Sequence, residues 1–194
     1  MRSDFPLKEK YGFHDLVQIM RVLRGPGGCP WDAQQTHASI RKNFIEETYE
    51  AIEAIDAADP VLLQEELGDV LLQVIYHAAM EEEQGSFSID DVCDGVCKKL
   101  VTRHPHIFGD IKADTAEEVL SNWEEIKQRE KGQKTATETL ESVPKVFPAL
   151  MRAEKIQKRA SRAGMDYDSL NDAFRDLRSE VDELEDAVKS GTVQ

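Results

Sequence analysis

Two groups of carboxylates stand close together in this chain, Glu46-Glu47-Thr48-Tyr49-Glu50 and Glu66-Leu67-Gly68-Asp69. On a helix, Glu47 and Glu50 are three residues apart and Glu46 and Glu50 four, so their Cβ atoms sit roughly 5–6 Å from one another. Glu66 and Asp69 repeat the spacing of three. Carboxylates forced together repel and raise one another's pKa unless a cation neutralises them. An all-oxygen cluster without cysteine or histidine suits a hard ion, Mg²⁺ with Mn²⁺ as the second choice. Such an ion keeps positions open for water and phosphate oxygens. Either pair alone is what a solvated helix face in an acidic chain looks like. Together, each on a strongly apolar helix, they point to a metal centre drawn from Glu46, Glu47, Glu50, Glu66 and Asp69. Spacing leaves open whether Glu65 or Glu66 points inward. Asp69, Gln73 and His77 continue along one face as a polar stripe, with His77 read as a core histidine outside the site.

The elements that must position these groups are helical throughout, because apolar residues recur every three or four positions and no strand-like alternation appears. Phe13 to Arg24 reads as an amphipathic helix stopped by Gly25-Pro26-Gly27-Gly28, and Cys29-Pro30-Trp31-Asp32 as a compact loop with Trp31 as its packing plug. A second helix spans about His37 to Ala57, with Phe44, Ile45, Ile52 and Ile55 as core candidates. Asp59-Pro60 breaks it, and Pro60 suits the first turn of a third helix reaching Gln84. There Leu63, Leu67, Val70, Leu71, Val74 and Ala78 form an apolar stripe. The break lets the second and third helices fold back antiparallel, so that the acidic pairs meet. A fourth helix covers Ile89 to Arg103 behind the cap residue Ser88, and a fifth Ala116 to Lys131. His104 and His106 shape the turn around Pro105. Residues 132–144 are polar and poor in apolar side chains, and Ala149 to Ala163 and Leu170 to Lys189 again read helical. Ser179 to Ala187 echoes Glu46 to Ala54 without its first glutamate, and no partner helix follows: half a domain.

Composition excludes several classes. The formal net charge is −14, with 32% charged residues. A nonspecific nucleic-acid binder needs a basic face to displace counterions, so no polymeric nucleic acid is expected. A small polyphosphate remains compatible, since a bound divalent cation reverses the local field. Residues 1–11 lack the apolar core of a signal peptide, and no apolar run approaches the roughly 18–20 residues that span a bilayer. Cys29, Cys93 and Cys97 read as reduced thiols, which fits a cytoplasmic protein. A di-iron bundle would need Glu-x-x-His pairs, and none is present.

The acidic pattern and its surroundings resemble the MazG family of nucleoside triphosphate pyrophosphohydrolases. The family's Glu-Glu-x-x-Glu, spacer, Glu-x-x-Asp stands here as Glu46 to Glu50, fifteen intervening residues, then Glu66 to Asp69. Gly28-Cys29-Pro30-Trp31-Asp32, Glu66 to Val74, Arg103-His104-Pro105-His106-Ile107-Phe108-Gly109 and Asn122-Trp123-Glu124-Glu125-Ile126-Lys127 are similar to the family as well. The resemblance implies an all-α helical bundle organised as a complete catalytic unit over 1–131, a linker over 132–148 and an incomplete second unit over 149–194. The chain is then expected to be truncated or to lack a full second unit.

It further implies Mg²⁺ ligation by Glu47, Glu50, Glu66 and Asp69, and Glu46 as a further ligand or a water-orienting base, so that Glu46, Glu47 and Glu50 form the catalytic set. Lys99 and Arg103 match the family's phosphate-contacting pair, Trp123 the aromatic near the nucleotide, and Lys127 a further contact, with Asn122 weaker. The implied reaction cleaves between the α- and β-phosphates of a nucleoside triphosphate, giving a monophosphate and pyrophosphate. A homodimer is expected, because a short helical hairpin leaves an apolar face to cover and the family is dimeric or larger. The competing reading is a non-catalytic helical dimerisation or regulatory module that retains the fold.

Overall fold

The computed structural model describes residues 5–130, 132 and 135–191, and every regular element among them is an α-helix. In chain order these are α1 (Phe13–Arg24), α2 (Pro30–Gln34), α3 (His37–Asp56), α4 (Pro60–Glu83), α5 (Ile89–Arg103), α6 (Pro105–Phe108), α7 (Ala116–Glu130), α8 (Ala136–Glu141), α9 (Ala149–Arg162) and α10 (Leu170–Ser190). The chain divides into two compact units, Met1–Val101 and Thr102–Gln194. The expected unit limits at Met1, Lys131 and Gln194 lie outside the described residues.

In the first unit α3 and α4 form an antiparallel hairpin. Thr36 starts α3 by accepting a hydrogen bond from the Ser39 amide, while Ser39 Oγ accepts from the Thr36 amide at 2.9 Å. Asp59 Oδ1 accepts from the Val61 and Leu62 amides at 2.9 and 3.1 Å, and Pro60 fills the first helical position of α4, where its missing N–H costs nothing. The link is so tight that Ala58 takes a left-handed backbone, φ 51°. The core gathers Val17 and Met20 of α1, Ile40 of α3, Ile75, Tyr76 and Met80 of α4, and Ile89 of α5.

Arg24 ties the start of the chain to this hairpin. Its buried guanidinium lies over the Tyr76 ring, pairs with Glu83 at 2.6 Å and donates to the Asp32 and Gln35 carbonyls. Tyr76 donates to Asp32 at 2.9 Å. Gly28 permits the turn between α1 and α2, since a Cβ there would lie 2.2 Å from the Val22 carbonyl oxygen.

Three readings of the sequence are corrected. Phe44, Ile45, Ile52 and Ile55 are exposed, because α3 buries Ile40, Ala51 and Ala54, whose two alanines lie on the turns beyond Phe44. Leu67 and Leu71 are exposed too, since α4 packs on α1 through Ile75, Tyr76 and Ala79 rather than through the leucine stripe. Trp31 plugs nothing: it is 62% exposed and stands on α2, where a loop was expected, with Pro30 opening that short helix. Within residues 132–148 stands α8, started by a reciprocal pair of bonds between Thr135 and Glu138. In the second unit α8 packs on α9, where Arg159 donates to Thr139 O and to Ser142 Oγ.

Candidate metal centre

The antiparallel hairpin fixes which carboxylates meet. His37 of α3 lies against His77 of α4, Phe44 is 5.7 Å from the same ring, and Glu47 comes level with Glu66 and Asp69. Glu47, Glu66 and Asp69 each offer one oxygen within 4.8 Å of the other two, and none of the three side chains is fully exposed. Glu66, not Glu65, is the inward member of that pair. Glu50 is exposed and outside the three-oxygen group, yet its charge acts on both Glu47 and Glu66. Glu46 is exposed and paired with Lys42 at 2.6 Å.

The electrostatics follow from this crowding. Partial burial, and then the charges of Asp69, Glu50 and Glu46, hold the Glu47 carboxyl above its usual range. Glu66 is raised for the same reason, by desolvation first and then by Glu50, Glu65, Asp69 and Glu47. Carboxyls that resist ionisation because they face one another become favourable ligands when a divalent cation supplies the missing charge. The donor set, all oxygen and formally −3 over three groups, fits a hard cation and leaves coordination positions for other oxygens.

Of the remaining expected contacts, Arg103, Trp123 and Lys127 have partners of their own. Arg103 Nε and Nη2 both donate to Glu130 Oε2, at 2.9 and 2.6 Å, and its guanidinium stands 5.3 Å from the Trp123 ring centroid. His104 meets the same ring edge-on at 4.9 Å. Lys127 lies 3.3 Å from Glu124, and Lys99 is exposed.

The sequence reading missed a second polar cluster on the hairpin. His37 and His77 stack with Nδ1 atoms 2.7 Å apart, and His37 Nε2 is 2.8 Å from Glu81 Oε1. Burial, and then the neighbouring His37, hold His77 below the ordinary imidazole value. The one available signal was the four-residue spacing of His77 and Glu81. Nothing in the sequence pointed to His37, which reaches them only through the hairpin.

Comparison with known proteins identifies relatives of this chain. Residues 35–108 match the family model described as the MazG nucleotide pyrophosphohydrolase domain, a span that holds both acidic pairs. The chain is 45% identical over 170 residues to the nucleoside triphosphate pyrophosphohydrolase of Escherichia coli (strain K12), covering 87% of this chain and 65% of that protein. It is 45% identical over 175 residues to the nucleoside triphosphate pyrophosphohydrolase/pyrophosphatase MazG of Thermotoga maritima, covering 90% of this chain and 67% of the relative. A Bacillus subtilis protein, YabN, is 50% identical over 157 residues, covering 79% of this chain and 32% of that protein. The chain thus spans between a third and two thirds of the length of these relatives. A crystal structure of a mazG-related protein from Thermotoga maritima superposes with a TM-score of 0.51 at 27% identity, covering 60% of this chain and 99% of that one. Identity of this extent over two thirds of a relative, with a family-model match across the acidic hairpin, shows that the chain belongs to the MazG nucleotide pyrophosphohydrolase family.

Proposed function

We propose that this chain hydrolyses nucleoside triphosphates to the monophosphate and pyrophosphate with a divalent cation, Mg²⁺ first and Mn²⁺ second. The observation that carries this reading is the meeting of three carboxylate oxygens from two antiparallel helices. Glu47, Glu66 and Asp69, joined by Glu50, would hold the cation. When bound, it supplies positive charge that offsets the negative charge of the phosphate oxygens as the bond to the leaving group breaks. Glu46 would serve as a further ligand or as the base that orients the attacking water, so that Glu46, Glu47 and Glu50 make up the catalytic set. Lys99, Arg103, Trp123 and Lys127 are assigned to the nucleotide, Arg103 as a fork for phosphate and Lys99 as a mobile point charge.

A homodimer is part of the same proposal. Ile45, Ile52 and Ile55 on α3, Leu67 and Leu71 on α4, and Val92 and Val96 on α5 are large apolar side chains left exposed. A second copy would cover them. No described helix is long and apolar enough to cross a membrane, and we assign the protein to the cytoplasm.

Purified chain with Mg²⁺ and a panel of nucleoside triphosphates is expected to release pyrophosphate rather than orthophosphate, and Glu50→Gln and Asp69→Asn to abolish the release. A folded chain that releases no pyrophosphate with any nucleotide or cation overturns the proposal in favour of a non-catalytic module.

A further inference from the structure

Gln73 is the buried polar group of α4 that the proposed chemistry leaves unused. It is 8% exposed, and no donor among the described residues reaches its Oε1. A buried acceptor without a donor is unfavourable, and an isolated one in a well-packed hairpin calls for an explanation. Its placement supplies one. Gln73 follows Asp69 by four residues and precedes His77 by four, so the three leave α4 from one face, about one turn apart. Phe44 of α3 lies against His77, partly exposed. Along one seam of the hairpin there thus run, in order, the carboxylate group, an unpaired carboxamide, and an aromatic ring beside an imidazole.

We propose that Gln73 is a specificity-determining residue that reads the nucleobase. The inference rests on the nucleoside triphosphate reading above. With the phosphates at Glu47, Glu66 and Asp69, the ribose bridges about one helical turn and brings the base to the level of Gln73. Oε1 then accepts a hydrogen bond from a base N–H, an exocyclic amine or a ring imino group, and Phe44 offers its face to the ring. A site built around an unpaired buried acceptor rejects a ligand that cannot supply the donor, because the acceptor then stays desolvated and alone. The stability cost of Gln73 in the empty chain and its selectivity in the bound one have the same origin.

The test compares wild type with Gln73→Leu and Gln73→Met. Equilibrium binding is measured with Mg²⁺ and the non-hydrolysable α,β-imido analogues of ATP, GTP, CTP and UTP. The base-free control is the α,β-imido analogue of ribose 5-triphosphate. Thermal unfolding is recorded for each variant. Both substitutions are expected to melt at or above the wild-type temperature, since they replace an unsatisfied polar group by an apolar one of similar size. Each should weaken binding of the preferred nucleotide about tenfold or more, flatten the differences among bases, and leave the base-free control unchanged. Equal losses for nucleotide and control, or unchanged preferences in a folded variant, overturn the proposal; so does a wild-type chain that binds the control as tightly as any nucleotide. Wild-type binding that is base-selective without pyrophosphate release would overturn the hydrolytic reading alone. Gln73→Met keeps the test open where Gln73→Leu does not fold.

Discussion

Replacing Asp69 with asparagine is expected to move stability in opposite directions with and without a divalent cation. In the cation-free chain, carboxylate oxygens of Glu47 and Asp69 lie within 4.8 Å of each other. Two unit charges at that separation, fully screened by water, repel by about 0.9 kcal/mol. Asparagine keeps the shape and removes the charge, so relief of about 1 kcal/mol should raise the melting temperature by roughly 4–8 °C in a unit of this size. With Mg²⁺ at a hundred times its dissociation constant, wild type gains about 2.7 kcal/mol from binding. The variant, with one of its three convergent oxygens now a neutral amide, loses most of that gain. The two melting curves should therefore exchange order: the variant higher in EDTA, wild type higher in Mg²⁺. Scanning fluorimetry in the two buffers reads this directly, with circular dichroism as a check on fold. A variant that melts below wild type in EDTA, or that gains as much from Mg²⁺ as wild type, would refute the reasoning. A purely structural aspartate has no means of producing the exchange.

Other outcomes follow from the same geometry. His77 titrates below the ordinary value of 6.5, so the unfolded chain takes up a proton there that the folded chain refuses. Stability is then lost as pH falls through 6.5, by at most about 1.4 kcal/mol per pH unit for one proton. His77→Phe should make this limb shallower; an unchanged slope in urea titrations between pH 5 and 7 counts against it. Ala58→Gly removes a left-handed alanine and should raise stability by about 0.5–1 kcal/mol, read from the urea midpoint; a loss would mean that the turn is held by something other than its backbone angle. Arg24→Met keeps the aliphatic stem but strands the Gln35 carbonyl, and should cost about 1–3 kcal/mol in the same assay. No loss would show that this carbonyl finds water.

How legible the molecule was from sequence varies by element, for physical reasons. The limits of α4 and α5 could be read because Asp59-Pro60 and Ser88 carry their capping chemistry locally. The short helices α2 and α6 could not, since Pro30 and Pro105 mark a turn as readily as a first helical position. For α8 the signal was present in Thr135-x-x-Glu138 and was outweighed by the polar composition around it. The acidic residues were legible as pairs. Their division into an inner group of Glu47, Glu66 and Asp69, with Glu46 and Glu50 outside it, depends on how two helices are rotated against each other, which spacing within one helix does not encode. The same rotation put Ile52 and Leu67 outside and Gln73 inside, the reverse of what hydropathy suggests.

That rotation also divides α4 along its length. Its buried residues all lie between Gln73 and Met80, whereas the half carrying Glu66 and Asp69 has no residue so enclosed. Amide hydrogen exchange should register the division: slow exchange from Ile75 to Met80, set by global unfolding, and faster exchange from Leu63 to Val70 through local opening. Glu66 and Asp69 thus stand on the less enclosed half of α4. A cation binding there would close the segment, and the slowing of exchange at those amides would mark its arrival before any chemistry begins.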